Sequence, residues 1–400
     1  SSLVALDAAV ADLRAGRCSE AVVGGVNTLL SARSFACNFR AGMQAPDGRC
    51  KTFDGRADGY VRAEGYGAVL LKPLATAKRD GDRIHGVIRG TAVNHDGRTD
   101  SLRAPNPAAQ SALIEAAFAD ARLAPGTVGY VEAHGTGTAL GDPIEVQALV
   151  DALRRLDPDL PSASCGLGSV KTAIGHLESA AGIAGLIKLL SCMRHERLPG
   201  LLHFRELNPF IELEKSPLRI VERAEPWERR LDASGDELPL RAGLSSFGFG
   251  GSNAHVIIEE YLESRAATPH PERGPWPILL SARNVDRLEA HARRLLNHLE
   301  TAPADPAAVA VTLRTCREAL PERLAFSADN LDGIKNGLRR YLHGEGSVTL
   351  FTGNTKQSRD FAAFFGDDEE LAGLIARSMA VGDYTRALEL WVKGVDVDWS

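Results

Sequence analysis

The chain has 400 residues, 44% of them apolar and 24% charged, with a formal net charge of -6 at pH 7. This is the composition of a globular chain with room for two or three domains, and it excludes a disordered or fibrous one. Lys and Arg are spread along the chain, so there is no basic footprint for nucleic acid and no polybasic membrane patch, which leaves proteins and small molecules as partners.

Residues 3–15 carry Leu3, Leu6, Val10 and Leu13 at helical spacing and stop at Gly16, which predicts a mostly buried helix. The apolar run 21–27 predicts a strand, and Gly24 and Gly25 within it mark a close backbone approach. A short helix over 34–42, a loop over 46–60 rich in Gly, Asp and Lys, and a strand over 66–71 follow. The alternation continues with strand 84–93, loop 94–106, helix 107–121, strand 128–132, a Gly-rich turn, helix 142–155, strand 167–170 and helix 177–194. Strands over 241–246 and 253–259 flank a second Gly-rich turn. The pattern is that of an α/β sheet-and-helix domain with ligands where strands end.

Residues 261–275 are polar, contain three prolines and read as a linker. A second α/β unit begins at Trp276, with strand 276–282, helices 285–300 and 307–314, strand 323–327, helix 332–342, strand 347–351 and two C-terminal helices. The longest apolar run, 179–192, is too short to span a bilayer and is interrupted by Lys188; with no signal pattern at the start, a cytoplasmic location is expected. Cys18, Cys37, Cys50, Cys165, Cys192 and Cys316 form no CxxC pair, which fits reduced thiols rather than disulfides or a zinc site. The chain starts Ser1-Ser2-Leu3 inside a helical pattern, so it reads as a segment of something longer.

Three segments spend Gly, His, Thr and Ser where a core would want apolar volume. The first, Glu132 to Pro143 (EAHGTGTALGDP), joins a strand to a helix, sets His134 at the strand end and offers Asp142-Pro143 as cap and first turn. Its glycines loosely imitate a dinucleotide turn, but the spacing is GxGxxxG and no acidic residue ends a following strand. Taken alone it also reads as a glycine turn holding a satisfied histidine. The second, Gly168 to Glu178 (GSVKTAIGHLE), directs Lys171 and His176 toward one pocket across a turn. The third, Ser245 to His255 (SSFGFGGSNAH), is a tight turn whose free N–H groups suit an oxyanion; as a phosphate loop it lacks the Lys-Ser/Thr ending.

In this order EAHGTGT, KTAIGH and SFGFGGSNAH resemble the histidine, lysine-histidine and Gly-Phe-Gly motifs of the ketosynthase (β-ketoacyl synthase) family. PDGRCKTFD (46–54), DGYVRAEG (58–65), VNHDG (93–97), APNPAAQ (104–110) and LHFRELNP (202–209) are similar to modular polyketide ketosynthases. The resemblance runs from residue 1 to about 260, and the unit from Trp276 resembles the flanking linker domain, in the form found in trans-acyltransferase assembly lines.

The resemblance implies a thiolase-like layered αβαβα fold, usually dimeric. Residues 1–75 would complete its N-terminal half and 76–260 would form the C-terminal half, followed by the 261–275 linker and the 276–400 flanking domain. It implies decarboxylative condensation of an acyl-cysteine with malonyl-carrier protein, with no bound cofactor and with substrates on the phosphopantetheine of an acyl carrier protein. His134 and His176 match the pair that binds the malonyl thioester carbonyl, and Lys171 the lysine that orients His176 and balances charge. The N–H of Phe249 would serve the acyl oxyanion, and Thr136 and Thr138 would hold the phosphopantetheine arm. The nucleophilic cysteine is expected just ahead of Ser1, at the activating N-terminus of the first helix, and the segment is expected to need the rest of the N-terminal half in order to fold. Ala173 and Ala63 depart from the Asn and Gly common in the family, as tuning rather than loss of a catalytic atom. A non-elongating acyl-binding or scaffold module is the alternative, and retention of His134 counts against it; the flanking domain counts against a fatty-acid condensing enzyme.

Overall fold

The structure is a computed structural model, described for residues 2–99, 101, 104–232, 234–262, 274–346, 348–358 and 369–399. It divides into two compact units, Ser1–Glu263 and Ser264–Ser400.

In the first unit the elements are α1 (Ser2–Arg14), β1 (Ala21–Asn27), α2 (Ala32–Arg40), β2 (Gly65–Leu71), α3 (Leu74–Arg79), β3 (Val87–His95), α4 (Pro107–Ala121), β4 (Tyr130–Glu132) and α5 (Gly141–Leu156). There follow β5 (Cys165–Gly168), α6 (Lys171–Ile174), α7 (Ala181–His195), the short strands β6 (Arg197–Leu198), β7 (Leu218–Ile220) and β8 (Glu225–Pro226), and then β9 (Arg241–Phe247) and β10 (Ser252–Glu259). Six strands form one sheet in the order β3-β10-β9-β4-β5-β7. The β3-β10-β9 part is antiparallel, and the β9-β4-β5-β7 part is parallel.

The period-2 alternation of strand side chains feeds two cores. On one sheet face Leu244, Ala254, Val256 and Ile258 meet Leu3 and Leu6 of α1 and Ile183, Leu186 and Leu189 of α7. On the other, Val131, Leu167 and Ile257 meet Ile114, Ala117 and Phe118 of α4 and Val146, Leu149 and Leu153 of α5. The antiparallel β1–β2 ribbon lies across the far side of α1 and α7. Glycine makes this approach possible: a Cβ on Gly25 would stand 3.0 Å from both the Ala180 Cα and the Ser2 Cβ, and one on Gly67 2.8 Å from the Ile187 Cδ1. The ribbon's other face is apolar and open, with Val22 76% and Tyr66 88% exposed beside Val26 and Leu70.

The second unit contains β11 (Trp276–Ala282), α8 (Val285–Thr301), α9 (Pro306–Thr315), β12 (Glu322–Ala328), α10 (Leu331–Leu342), β13 (Leu350–Asn354), α11 (Glu369–Ala380) and α12 (Thr385–Val392). Its antiparallel sheet runs β11-β12-β13. One face packs Ile278, Leu280, Leu324 and Phe326 against α8, α9 and α10, and the other packs Leu279, Ala325 and Phe351 against Ile375, Leu388 and Trp391.

Several sequence-based boundaries move. The strand predicted over 167–170 ends at Gly168, and the chain turns at once into the four-residue α6, so Lys171 stands on a helix. The helix predicted over 177–194 begins only at Ala181, because Glu178 (φ 44°) is left-handed and opens a short 3-10 turn, Glu178–Ala180, ahead of it. The predicted strand 347–351 is found at 350–354, that predicted over 84–93 at 87–95, and the helix predicted over 34–42 at 32–40. Helix α3 and the two- and three-residue strands β6, β7 and β8 are too short to leave a period in the sequence. Most of the predicted 261–275 linker lies outside the described residues.

Candidate active site

The site forms where β4 and β5 end. His134 follows β4 directly, and its turn is clamped from α5. The His134 and Gly135 N–H groups donate to the two carboxylate oxygens of Glu145 at 2.7 and 2.8 Å. The N–H groups of Phe53 and Gly137 donate to Asp142 at 2.8 and 3.1 Å. Thr52 Oγ1 and Ser169 Oγ both donate to the Gly135 carbonyl, at 2.8 and 3.1 Å. Asp142 is therefore not the helix cap proposed from the sequence. Helix α5 starts at Gly141 without a side-chain cap, because the Asp142 carboxylate turns back to hold the glycine turn.

His176 lies in the irregular stretch between α6 and α7, held by a strap over 60–64. Its N–H donates to the Val61 carbonyl at 2.7 Å, and its carbonyl accepts from the Ala63 N–H at 3.0 Å. Cys50 Sγ accepts the Val61 N–H at 3.2 Å and fixes the strap from behind. The Glu178 N–H donates to His176 Nδ1 at 2.9 Å, so the neutral imidazole carries its proton on Nε2.

The two imidazoles meet edge to face, with centroids 5.4 Å apart at 83°. Phe247 backs His134 at 5.6 Å, and Tyr60 backs His176 at 5.1 Å. Burial first, and then the Lys171 charge, hold both imidazoles well below the ordinary 6.5; for His134 the other ring adds to the effect. Both residues keep a little accessible surface, but the atoms packed around the rings are what oppose a proton there. Two neutral rings at pH 7 can donate hydrogen bonds to an oxygen without adding charge to the pocket. His134 Nδ1 is buried with no partner among the described residues, so its ring offers an unmet hydrogen-bonding position.

Lys171 is buried, and burial lowers its pKa against the pull of Glu132, Glu145, Cys50 and Asp142. No hydrogen bond joins its ammonium to His176 among the described residues; the contacts that orient His176 come from Val61, Ala63 and Glu178. Burial pushes Asp142 up to about 6 and Glu145 up to about 7, against the backbone N–H bonds that favour their carboxylates. Behind them Glu132 accepts from the Val170 N–H at 2.5 Å and pairs with Lys188, which also donates to the Tyr130 hydroxyl at 2.6 Å.

Thr136 and Thr138 share the His134 turn, with hydroxyls 3.3 Å apart. Phe249 sits in the β9–β10 turn with its ring 64% exposed, and its N–H makes no hydrogen bond among the described residues, while Gly248 N–H closes the turn on Ser252 O at 2.7 Å. The structure thus brings His134, His176 and Lys171 together and puts Thr136 and Thr138 on the same turn; among the described residues no hydrogen bond or ring pairing joins Phe249 to the imidazoles. Sequence reasoning missed the clamping roles of Asp142 and Glu145, the Cys50 and Tyr60 supports, and Phe247. The one signal for the acids was their place near the start of a helix that follows a histidine-bearing strand end, Asp142 in its first turn and Glu145 just after it. Among the described residues no three His, Cys, Asp or Glu side chains form a metal site, and no helix is long and apolar enough to cross a membrane.

Three family profiles match consecutive stretches: the N-terminal domain of β-ketoacyl synthase at residues 1–77, its C-terminal domain at 85–205, and the ketoacyl-synthetase C-terminal extension at 208–325. The chain belongs to the β-ketoacyl synthase family and has its thiolase-like α/β fold. Within that family it is a ketosynthase of the polyketide-synthase kind. It is 42% identical over 411 residues to polyketide synthase PksN of Bacillus subtilis (strain 168) and 43% identical over 411 residues to polyketide synthase ThaG of Burkholderia thailandensis. Both alignments take in 100% of this chain but only 8% and 7% of those proteins, so the chain spans less than a tenth of their length. The ketosynthase from module 6 of the bacillaene synthase of Bacillus subtilis 168 superposes with a TM-score of 0.88 at 36% identity, over 100% of this chain and 69% of the other.

Proposed function

We propose that this chain carries the decarboxylating centre of an elongating ketosynthase, and that His134 and His176 are its catalytic pair. The observation that carries this reading is the edge-to-face contact of two neutral imidazoles at 5.4 Å, each ring fixed through its own backbone. The malonyl thioester arrives on the phosphopantetheine of an acyl carrier protein, with Thr136 and Thr138 beside the arm. Its carbonyl oxygen accepts hydrogen bonds from the two rings as the bond to the carboxylate breaks. Carbon dioxide leaves, and the electron pair becomes an enolate whose charge grows on that oxygen, so each donor is worth about 2–4 kcal/mol more in the transition state than in the ground state. The enolate carbon then attacks the acyl-cysteine carbonyl, whose oxyanion the Phe249 N–H receives. Collapse breaks the C–S bond and frees the thiolate and a β-ketoacyl-carrier product. Burial, reinforced by the Lys171 charge, keeps both imidazoles neutral.

The nucleophile in this reading is contributed ahead of α1, whose N-terminal N–H groups favour a thiolate. The three buried cysteines of the chain support this. Burial pushes Cys165, on β5, up to about 12, and raises Cys50 and Cys192, so none of these three is an activated thiol. The open apolar face of Val22, Val26, Tyr66 and Leu70 suits the remainder of the N-terminal half, residues 1–75 and 76–260 being the parts of the two halves present here. Alignment of PksN with the whole chain supports residues 276–400 as a domain flanking the ketosynthase, and the sequence resemblance of that unit supports the trans-acyltransferase kind. A homodimer, a cytoplasmic location and work alongside other polyketide synthase domains complete the reading.

The test is to load the full protein with an acyl group, add malonyl-carrier protein, and follow carbon dioxide and the product by mass spectrometry. An elongating enzyme gives both carbon dioxide and a β-ketoacyl-carrier product; acyl loading with neither sinks the proposal in favour of a non-elongating module.

A further inference from the structure

Arg62 belongs to the strap that holds His176, yet it touches neither imidazole. Its guanidinium side chain is only 9% exposed and faces a single carboxylate. Nε donates to Glu178 Oε1 at 2.5 Å and Nη2 to Oε2 at 2.8 Å, a two-pronged pairing of the geometrically specific kind. Nη1 donates to Ser34 Oγ at 2.8 Å, and the guanidinium lies over the Phe35 ring at 5.1 Å, so α2 fixes the cation from its far side. Among the described residues the Glu178 carboxylate has no partner besides Arg62.

Glu178 has a left-handed backbone, φ 44°, a conformation that a residue with a side chain adopts only when its surroundings hold it there. With α7 packed into the core after it, this angle fixes how the 177–178 peptide lies, and its N–H meets His176 Nδ1 at 2.9 Å. A change of backbone angle at 178 would withdraw the donor and leave Nδ1 free to carry the proton itself.

Resting on the condensing reading above, we propose that Arg62 is a positioning residue for His176: by gripping Glu178 it holds the strained backbone whose N–H keeps the His176 proton on Nε2, facing the substrate. Arg62 thereby acts from outside the reacting atoms, through a residue 116 positions away in sequence.

The test uses the full protein and the variants Arg62→Ala, Glu178→Gly and the two combined. Arg62→Ala is expected to lower kcat for carbon dioxide release from malonyl-carrier protein by about tenfold or more, the scale of one lost hydrogen-bond donor, with KM unchanged and with partial rescue by added methylguanidine. Glu178→Gly keeps the N–H and adopts the left-handed angle without strain, so the double variant should recover most of the lost rate. The His176 imidazole supplies a readout independent of turnover. Its carbethoxylation by diethyl pyrocarbonate, followed by peptide mass spectrometry, should be faster in Arg62→Ala, where Nδ1 is released, and return to the wild-type rate in the double variant. Wild-type kcat and wild-type His176 reactivity in Arg62→Ala would overturn the proposal, as would a defect that neither methylguanidine nor Glu178→Gly relieves. If wild type itself releases no carbon dioxide, the condensing reading fails, and the His176 reactivity alone decides whether Arg62 positions the ring.

Discussion

Replacing Glu145 by alanine should destabilise the protein in a way that depends on pH. The Glu145 carboxylate receives the His134 and Gly135 N–H groups at 2.7 and 2.8 Å inside a buried turn. Alanine leaves both donors unpaired at about 1–3 kcal/mol each, a loss of roughly 2–6 kcal/mol. Against this stands the cost of ionising a buried acid. The folded-state pKa, pushed up to about 7 from an ordinary 4.5, means that the folded protein holds a proton which the unfolded chain releases. The contribution of Glu145 to stability is thus complete below pH 4.5 and declines as pH rises through about 7, by on the order of 3 kcal/mol. The alanine variant escapes that decline. Urea unfolding of wild type and Glu145→Ala at pH 5.5 and pH 8 should show a large penalty at the lower pH and one smaller by about 2 kcal/mol at the higher, since pH 5.5 already lies above the unfolded-state pKa. Glu145→Gln, which keeps an acceptor for the turn, should lose less than alanine at pH 5.5. A Glu145→Ala penalty that is the same at both pH values, or below about 1 kcal/mol at pH 5.5, would refute the reasoning.

The buried histidines act in the opposite sense. With folded pKa values well below 6.5, their contribution to stability is present above pH 6.5 and is lost as pH falls below it, while the rate of carbon dioxide release should show no imidazole titration near pH 6.5. A pH–rate profile and urea midpoints from pH 5 to 8 check both statements. Thr52→Val removes the hydroxyl donated to the Gly135 carbonyl at 2.8 Å and should cost about 1 kcal/mol in a denaturation measurement, since Ser169 still donates to the same oxygen. Gly90→Ala sets a Cβ 2.5 Å from the Ala117 carbonyl oxygen and the Ala121 N of α4. Backbone must move against backbone, so the variant should lose more than about 3 kcal/mol or fail to accumulate as soluble protein.

Much of the fold could be read along the chain because its long elements announce themselves locally. Helix α4 is found where it was predicted, over 107–121, because Asn106 caps it through the N–H groups of Ala108 and Ala109 and Pro107 opens it. Strands β1 and β11 were found by their apolar runs. What escaped was set by contacts distant in sequence. The late start of α7 depends on the left-handed Glu178, which Arg62 holds from the strap, and no periodicity records such a pair. In the site His134, His176 and Lys171 could be picked out because each sits in a Gly-containing segment that follows a strand, where a core would want apolar volume. The clamping acids could not be assigned, since Asp142 and Glu145 look like ordinary acids near a helix start until the chain folds back and sets the Phe53, His134, Gly135 and Gly137 N–H groups against them.

The central claim is that two neutral imidazoles 5.4 Å apart jointly receive the oxygen of the breaking malonyl group. Its most direct test is the rate of carbon dioxide release from malonyl-carrier protein by the full protein carrying His134→Ala, His176→Ala or both, with acyl loading measured in parallel. The account predicts that each single variant loses at least about a hundredfold, as for one oxyanion donor, and that the double variant loses little more than the worse single one, because the rings act on one atom. Near-wild-type release from either single variant, with loading intact, would contradict it.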